Sequence, residues 1–272
     1  MKDPILSLRT TACALGLAAA AALGAVGEAT AAPAPAGAPT RITTAPPTNG
    51  GYAAVTGTTA FSPKTSKAQP IIGGGEIQAQ TYHARVFQNG RGMCTSTLVT
   101  SRYILTARHC VDQPGQYAFR IGSTYAQSGG TTAAASQITL HPSADLAMVR
   151  LDRTVSNTPA RIATGYPQSG SYVSIYGWGA TCGPMQNEAY CQSPVLKTAT
   201  MRMAGLATDL HGGTALHLEA VNGVGAGGDS GGPATTGGTV VGVASTSDRQ
   251  TFTRYTATAP YVNWIQAVAA NG

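Results

Sequence analysis

From residue 71 to the C-terminus, short runs rich in Val, Ile, Thr and Tyr recur, separated by Gly, Asn and Pro. They fall at 83–88, 95–100, 103–107, 146–151, 172–176, 196–201, 240–244 and 252–258. β-branched and aromatic side chains suit a pleated, half-buried surface, whereas Gly, Asn and Pro supply the backbone angles of turns. This density of short strands predicts an all-β, antiparallel sandwich or pair of barrels. A coiled coil or helical bundle is excluded, because only 10% of residues are charged while 34 are Gly. One helix is expected, at the C-terminus. Pro260 presets its first turn, and Tyr261, Trp264, Ile265 and Val268 fall on one face.

With 43% hydrophobic residues among 272, the chain can bury a sizeable core. Its net charge of +6 does not point to nucleic acid. Five basic residues against two acidic lie before residue 71, and twelve against nine follow it. That excess is mild and scattered, with no basic cluster, so no nucleic-acid partner is expected.

Lys2 and Arg9 precede an apolar stretch over 12–26, and Ala29-Thr30-Ala31 follows it. A basic start, a short apolar middle and small exit residues predict a secretory signal peptide over 1–31. The apolar run is shorter than the roughly 20 residues of a membrane span, so no membrane association is expected after its removal. Residues 32–70 are rich in Pro, Ala, Thr and Gly and too poor in aliphatic side chains to offset ordering entropy. They predict a flexible pro-segment.

Five cysteines are present, and Cys13 leaves with the leader. The even remainder, in an exported chain, predicts two disulfides. Of three possible connectivities, Cys94–Cys110 and Cys182–Cys191 close short loops and are favoured. Their spacings do not match the paired CxxC of a zinc site. No oxygen-ligand loop of the calcium type is visible, so neither metal nor cofactor is expected.

Hydrolysis by serine needs a hydroxyl, a base to take its proton and a carboxylate to orient that base. Residues 227–233, Gly-Gly-Asp-Ser-Gly-Gly-Pro, offer the hydroxyl of Ser230 on a turn whose glycines permit close approach to a substrate. The amides of Gly228 and Ser230 are then available to a developing oxyanion. His109 stands beside Cys110 at the end of an apolar run, and Asp145 heads another, where an isolated buried carboxylate would be costly. Asp112 and Asp152 are expected at the surface.

GDSGGP at 228–233, TAxHC at 106–110 and DLAxxxL at 145–151, in the order His, Asp, Ser, resemble the chymotrypsin/trypsin-like serine proteases. Ile71-Ile72-Gly73-Gly74, Tyr176-Gly177-Trp178-Gly179 and Tyr261-Val262-Asn263-Trp264-Ile265 extend the resemblance over 71–272. It implies two six-stranded antiparallel β-barrels, a closing helix, and a catalytic triad of His109, Asp145 and Ser230 in the cleft. It also implies a zymogen, in which cleavage frees the Ile71 α-amino group to pair with Asp229 and order the oxyanion loop. Pro70, not Lys or Arg, precedes Ile71, so a trypsin-like activator is not expected and the sequence does not identify the activating protease. A monomer acting on protein and peptide substrates is expected.

Trypsin-like members carry an aspartate six residues before the nucleophile; here that residue is Val224. Ser247 and Thr253 align with wall positions that are glycine in open-pocket members. Their side chains would shorten the pocket, so small or medium apolar residues are expected before the scissile bond rather than Lys or Arg. Arg108, where the family usually has a small residue, either lines the cleft or reaches solvent. Two rival readings remain: a non-catalytic binding protein on this fold, and an esterase. The esterase elbow GxSxG and its order Ser, Asp, His both differ from what stands here.

Overall fold

The computed structural model describes residues 71–183 and 186–271. The expected leader and pro-segment lie outside the described residues. Two short strands, β1 (Ile72–Gly73) and β2 (Gly75–Glu76), come first. The first barrel comprises β3 (His83–Gln88), β4 (Arg91–Thr100), β5 (Tyr103–Thr106), β6 (Tyr117–Ile121), β7 (Thr131–Leu140) and β8 (Ala147–Leu151). It closes in the order β3-β4-β5-β8-β7-β6, with β3 paired to β6.

After the short β9 (Arg161–Ile162), the second barrel contains β10 (Tyr172–Gly177), β11 (Lys197–Thr208) and β12 (Thr214–Ala220). It continues, beyond the short β13 (Gly223–Val224), with β14 (Pro233–Thr236), β15 (Thr239–Ser247) and β16 (Phe252–Ala257). The ring runs β10-β14-β15-β16-β12-β11 and is closed by the β10–β11 ladder, in which Val173 faces Met201. Every pairing within both rings is antiparallel.

Each barrel holds its own core, filled by alternate side chains of its strands. Tyr117, Phe119 and Ile121 of β6 point inward in the first, and Val173 and Ile175 of β10 in the second. Burying each such side chain contributes about 1.5–3 kcal/mol. Helix α1 (Val262–Ala270) follows a 3₁₀ turn over Ala259–Tyr261 and returns the chain to the first barrel. There Ile265 is buried, and Tyr261, Trp264 and Val268 pack against the same cluster.

Two disulfides are formed, Cys94–Cys110 and Cys182–Cys191. The first ties β4 to the 3₁₀ turn Arg108–Cys110, which carries His109. Closing a loop of that length stabilises the fold by about 3 kcal/mol.

Candidate active site

His109 lies on the turn that follows β5, and Asp145 lies two residues before β8, which is β5's neighbour in the first barrel. The β5–β8 ladder therefore brings two residues far apart in sequence to the same barrel end. The Asp145 carboxylate is fully buried. Its Oδ2 is 2.8 Å from His109 Nδ1, and its Oδ1 accepts the His109 backbone N–H at 3.1 Å. The Ser245 hydroxyl, on β15 of the second barrel, donates to Oδ2 at 2.6 Å. Burial alone would raise the Asp145 carboxyl. The hydrogen bonds from His109 and Ser245, with the imidazole charge, outweigh it and hold the group below the ordinary carboxylate range.

The Asp145 backbone is fixed as well. Its N–H donates to Asp209 Oδ2 at 2.9 Å, and the buried Asp209 also accepts from the Thr256 hydroxyl and the amides of His211 and Gly213. Ser245 and Asp209 thus clamp a first-barrel carboxylate to the second barrel. Ser245→Ala is expected to lower kcat/KM about tenfold and shift the denaturation midpoint down, since a hydrogen bond to a buried charge contributes about 1.5–3 kcal/mol. Steady-state kinetics and guanidinium titration check both.

Ser230 lies in the loop between β13 and β14, half-buried. Its carbonyl accepts the Thr95 N–H at 2.9 Å, and the Thr95 hydroxyl donates to the Gly228 carbonyl at 2.9 Å. A methyl group on Gly231 would overlap Thr106 and press on the amide of Ala107, so the serine loop packs directly against the chain leading to His109. Among the described residues no hydrogen bond joins the Ser230 hydroxyl to His109. The amides of Gly228 and Ser230 have no acceptor among the described residues, and Gly228 holds φ +102°, a backbone state open to glycine. Both donors are therefore available to a ligand.

Asp229 points the other way, into the protein. Its Oδ1 accepts from Gly179 N at 2.7 Å and its Oδ2 from Ala226 N at 2.9 Å. Side chains at Gly177 or Gly179 would collide with this carboxylate, which accounts for both glycines of the Tyr-Gly-Trp-Gly segment. Burial pushes the Asp229 carboxyl up to about 6, against the pull of those amides and of the nearby Arg85 guanidinium. Ile71 is fully buried in the second core beside Val224, and the strand that follows it pairs with Gly223 and Val224. Its nitrogen is here a peptide amide, and among the described residues it makes no hydrogen bond to Asp229.

Beside Ser230 opens a cavity of about 230 Å³, lined by residues 225–227 and 244–247 with Arg249 and Thr253. Ser247 and Thr253 thus stand in its wall. Val224 is not in the lining; it packs into the core with Ile71. The wall hydroxyls are already bound: Ser247 donates to the Gly225 carbonyl at 2.6 Å, and Thr253 accepts from the Gly225 amide at 2.9 Å. Among the described residues, the three histidine or cysteine side chains clustered with metal-ligand spacing are Cys94, His109 and Cys110. Both cysteine sulfurs there are joined to each other.

The family profile described as Trypsin matches residues 71–265. The chain belongs to the trypsin family of serine endopeptidases. An uncharacterized peptidase of Corynebacterium glutamicum (strain R) is 32% identical over 160 residues, covering 58% of this chain. That stretch spans 55% of the Corynebacterium peptidase. The solved structure of neuropsin, a serine protease expressed in the limbic system of mouse brain, superposes with TM-score 0.63 at 24% identity, covering 72% of this chain and 98% of neuropsin. A scabies mite inactivated protease paralogue superposes with TM-score 0.64 at 19% identity, covering 73% and 97%. At these identities the superpositions establish the trypsin-family fold alone.

Arg108 is half-buried. Its Nη1 donates to the carbonyls of His141 at 3.0 Å and Pro142 at 3.4 Å, holding the loop that leads to Asp145 against the His109 turn. Asp112 and Asp152 are exposed. Ser245 and Asp209 escaped sequence reasoning. Ser245 is one of three serines and threonines in a row, and nothing in its neighbours marks it; Asp209 lies shortly before Gly212-Gly213, where an aspartate ordinarily caps a loop.

Proposed function

We propose that this protein is a secreted serine endopeptidase with His109, Asp145 and Ser230 as its triad, made as a precursor and activated by cleavage before Ile71. One observation carries the reading. The buried Asp145 carboxylate, fixed from both barrels, binds His109 Nδ1 on the side of the ring away from Nε2. Nε2 is thereby left as the acceptor of the neutral imidazole, the form a general base needs.

Ser230 Oγ attacks the scissile carbonyl as His109 Nε2 takes its proton; Asp145 stabilises the imidazolium. The amides of Gly228 and Ser230 receive the oxyanion. His109 then gives the proton to the leaving amine, and an acyl-enzyme remains on Ser230. Water, deprotonated by the same imidazole, releases the acid. Secretion follows from the leader and fits two disulfides, which persist in oxidising compartments.

The pocket beside Ser230 is the seat of the side chain preceding the scissile bond. Thr253 and Ser247 narrow it, and its lining holds no carboxylate. An incoming ammonium or guanidinium would be desolvated without a counter-ion. The processed protein is expected to cleave a peptide library after small and medium apolar residues. Strict cleavage after Lys or Arg would remove this specificity, and a folded, processed protein that cleaves nothing would favour the non-catalytic reading.

A further inference from the structure

We propose that Glu188 and Arg249 form a charge clamp across the mouth of the Ser230 pocket, and that this pair keeps the pocket selective for uncharged side chains. The inference rests on the endopeptidase reading and assigns the residues that set its specificity.

Both members of the clamp are presented by built structure. Glu188 opens the 3₁₀ turn Glu188–Tyr190 within the loop closed by Cys182–Cys191, and the Asn187 side chain caps that turn by accepting from Ala189 N at 3.1 Å. The next residue after the disulfide, Gln192, anchors the loop. Its Nε2 donates to the carbonyls of Glu188 at 3.0 Å and Gly227 at 2.8 Å. Its Oε1 accepts from the buried Arg85 at 3.1 Å. The Glu188 carboxylate therefore lies directly over Gly227, which lines the pocket; a methyl group at Gly227 would overlap it.

Arg249 comes from the opposite wall. It follows β15 in a turn whose amides at Gln250, Thr251 and Phe252 all donate to Asp248 Oδ1, while the Arg249 amide donates to Ser247 Oγ at 2.9 Å. Arg249 holds φ +60°, a left-handed state that a long side chain adopts only where surrounding contacts over-determine it. From there its Nε and Nη2 meet Glu188 Oε1 and Oε2 at 2.5 and 2.9 Å, a two-point fit between guanidinium and carboxylate. The Arg249 side chain is 41% exposed and that of Glu188 only 19%, so the pair stands at the entrance rather than free in solvent.

A half-exposed pair of this kind contributes little to stability. Its effect lies in what each charge denies the substrate. A substrate carboxylate reaching Arg249 must first displace Glu188. A substrate cation reaching Glu188 must displace Arg249. Neutral side chains displace nothing. Removing one member leaves the other at the pocket with its hydrogen bonds unmet, ready for a substrate of opposite charge.

The test uses the processed protein and three peptides identical except for Ala, Glu or Lys before the scissile bond. Glu188→Gln, Arg249→Gln and the double variant are compared with wild type, each normalised to its sites titrated by a fluorophosphonate. The titre counts folded sites, so a variant of reduced yield still reports its own substrate ratios. Glu188→Gln is expected to raise the Glu/Ala ratio of kcat/KM about tenfold or more, Arg249→Gln to raise the Lys/Ala ratio similarly, and the double variant to restore the wild-type order. Unchanged ratios in both single variants, with wild type cleaving the Ala peptide, would overturn the clamp and leave the endopeptidase reading standing. Failure of wild type on all three peptides would overturn both.

Discussion

Replacing Ser230 by alanine in the processed protein is expected to lower kcat by about 10⁶-fold while leaving the denaturation midpoint unchanged within error. The magnitude follows from how triads work: nucleophile and base act as a unit, and removing either forfeits the acyl-enzyme route. The midpoint should hold because the Ser230 hydroxyl makes no hydrogen bond among the described residues, while the loop is held by main-chain contacts to Thr95 and Ala244. His109→Ala should cost a similar factor. Asp145→Asn should cost about 10⁴-fold, because an amide at Oδ2 no longer fixes the imidazole tautomer that leaves Nε2 free. Single-turnover hydrolysis of an activated ester by each variant measures all three.

Asp229→Asn is expected to act differently before and after processing. In the uncleaved chain the buried carboxyl titrates near 6, above the ordinary 3.8 of an unfolded aspartate. The native state therefore binds the extra proton between those values. Stability from this group is fully present below the unfolded value and is lost as pH rises through about 6. At pH 7.5 the ionised Asp229 costs the uncleaved chain about 2–3 kcal/mol; a neutral asparagine carries no such charge, but its NH2 cannot accept from Gly179 N or Ala226 N as an Asp229 oxygen does. The stability of uncleaved Asp229→Asn relative to its parent should therefore rise by about 2–3 kcal/mol between pH 4 and pH 7.5. Under the proposed activation, processing changes the balance, because the freed Ile71 ammonium would supply the missing counter-charge. In the processed protein Asp229→Asn removes that pairing and loosens the loop bearing Gly228 and Ser230, and activity should fall at least about 10³-fold, the scale of losing oxyanion donors. Urea unfolding of both forms at the two pH values, with kinetics on the processed form, checks both effects.

Strands rich in β-branched residues were legible in the sequence, and those built of other residues were not. His83–Gln88, with Val86 and Phe87 at its centre, is a strand where one was expected. Thr214–Ala220, with Ala, Leu, His, Leu and Glu, has the residues of a helix. It is a strand because Leu216 and Leu218 alternate with His217 and Glu219, and pairing on both sides, to β11 and β16, buries the leucines. Thr131–Leu140 carries three alanines in a row and gave no signal, yet it closes the first barrel between β6 and β8. Tertiary pairing overrode local preference at both places.

At the site, residues embedded in a motif could be proposed from the sequence and residues that only support them could not. His109, Asp145 and Ser230 each stand in a distinctive run. Ser245, Asp209, Gln192 and Glu188 each meet a partner 35 or more positions away, as between Asp145 and Ser245 or between Arg249 and Glu188. No local pattern encodes such meetings, which exist only once the chain has folded. Val224 marks the same limit from the other side: alignment put it at the pocket, and the fold turns it into the core beside Ile71.

The most direct measurement is mass spectrometry of the processed protein after reaction with a fluorophosphonate. One adduct, mapped to the peptide carrying Ser230 and lost in His109→Ala, is the result expected of an imidazole-activated nucleophile. A folded protein that starts at Ile71 and takes no label, or takes it at another residue, would contradict it.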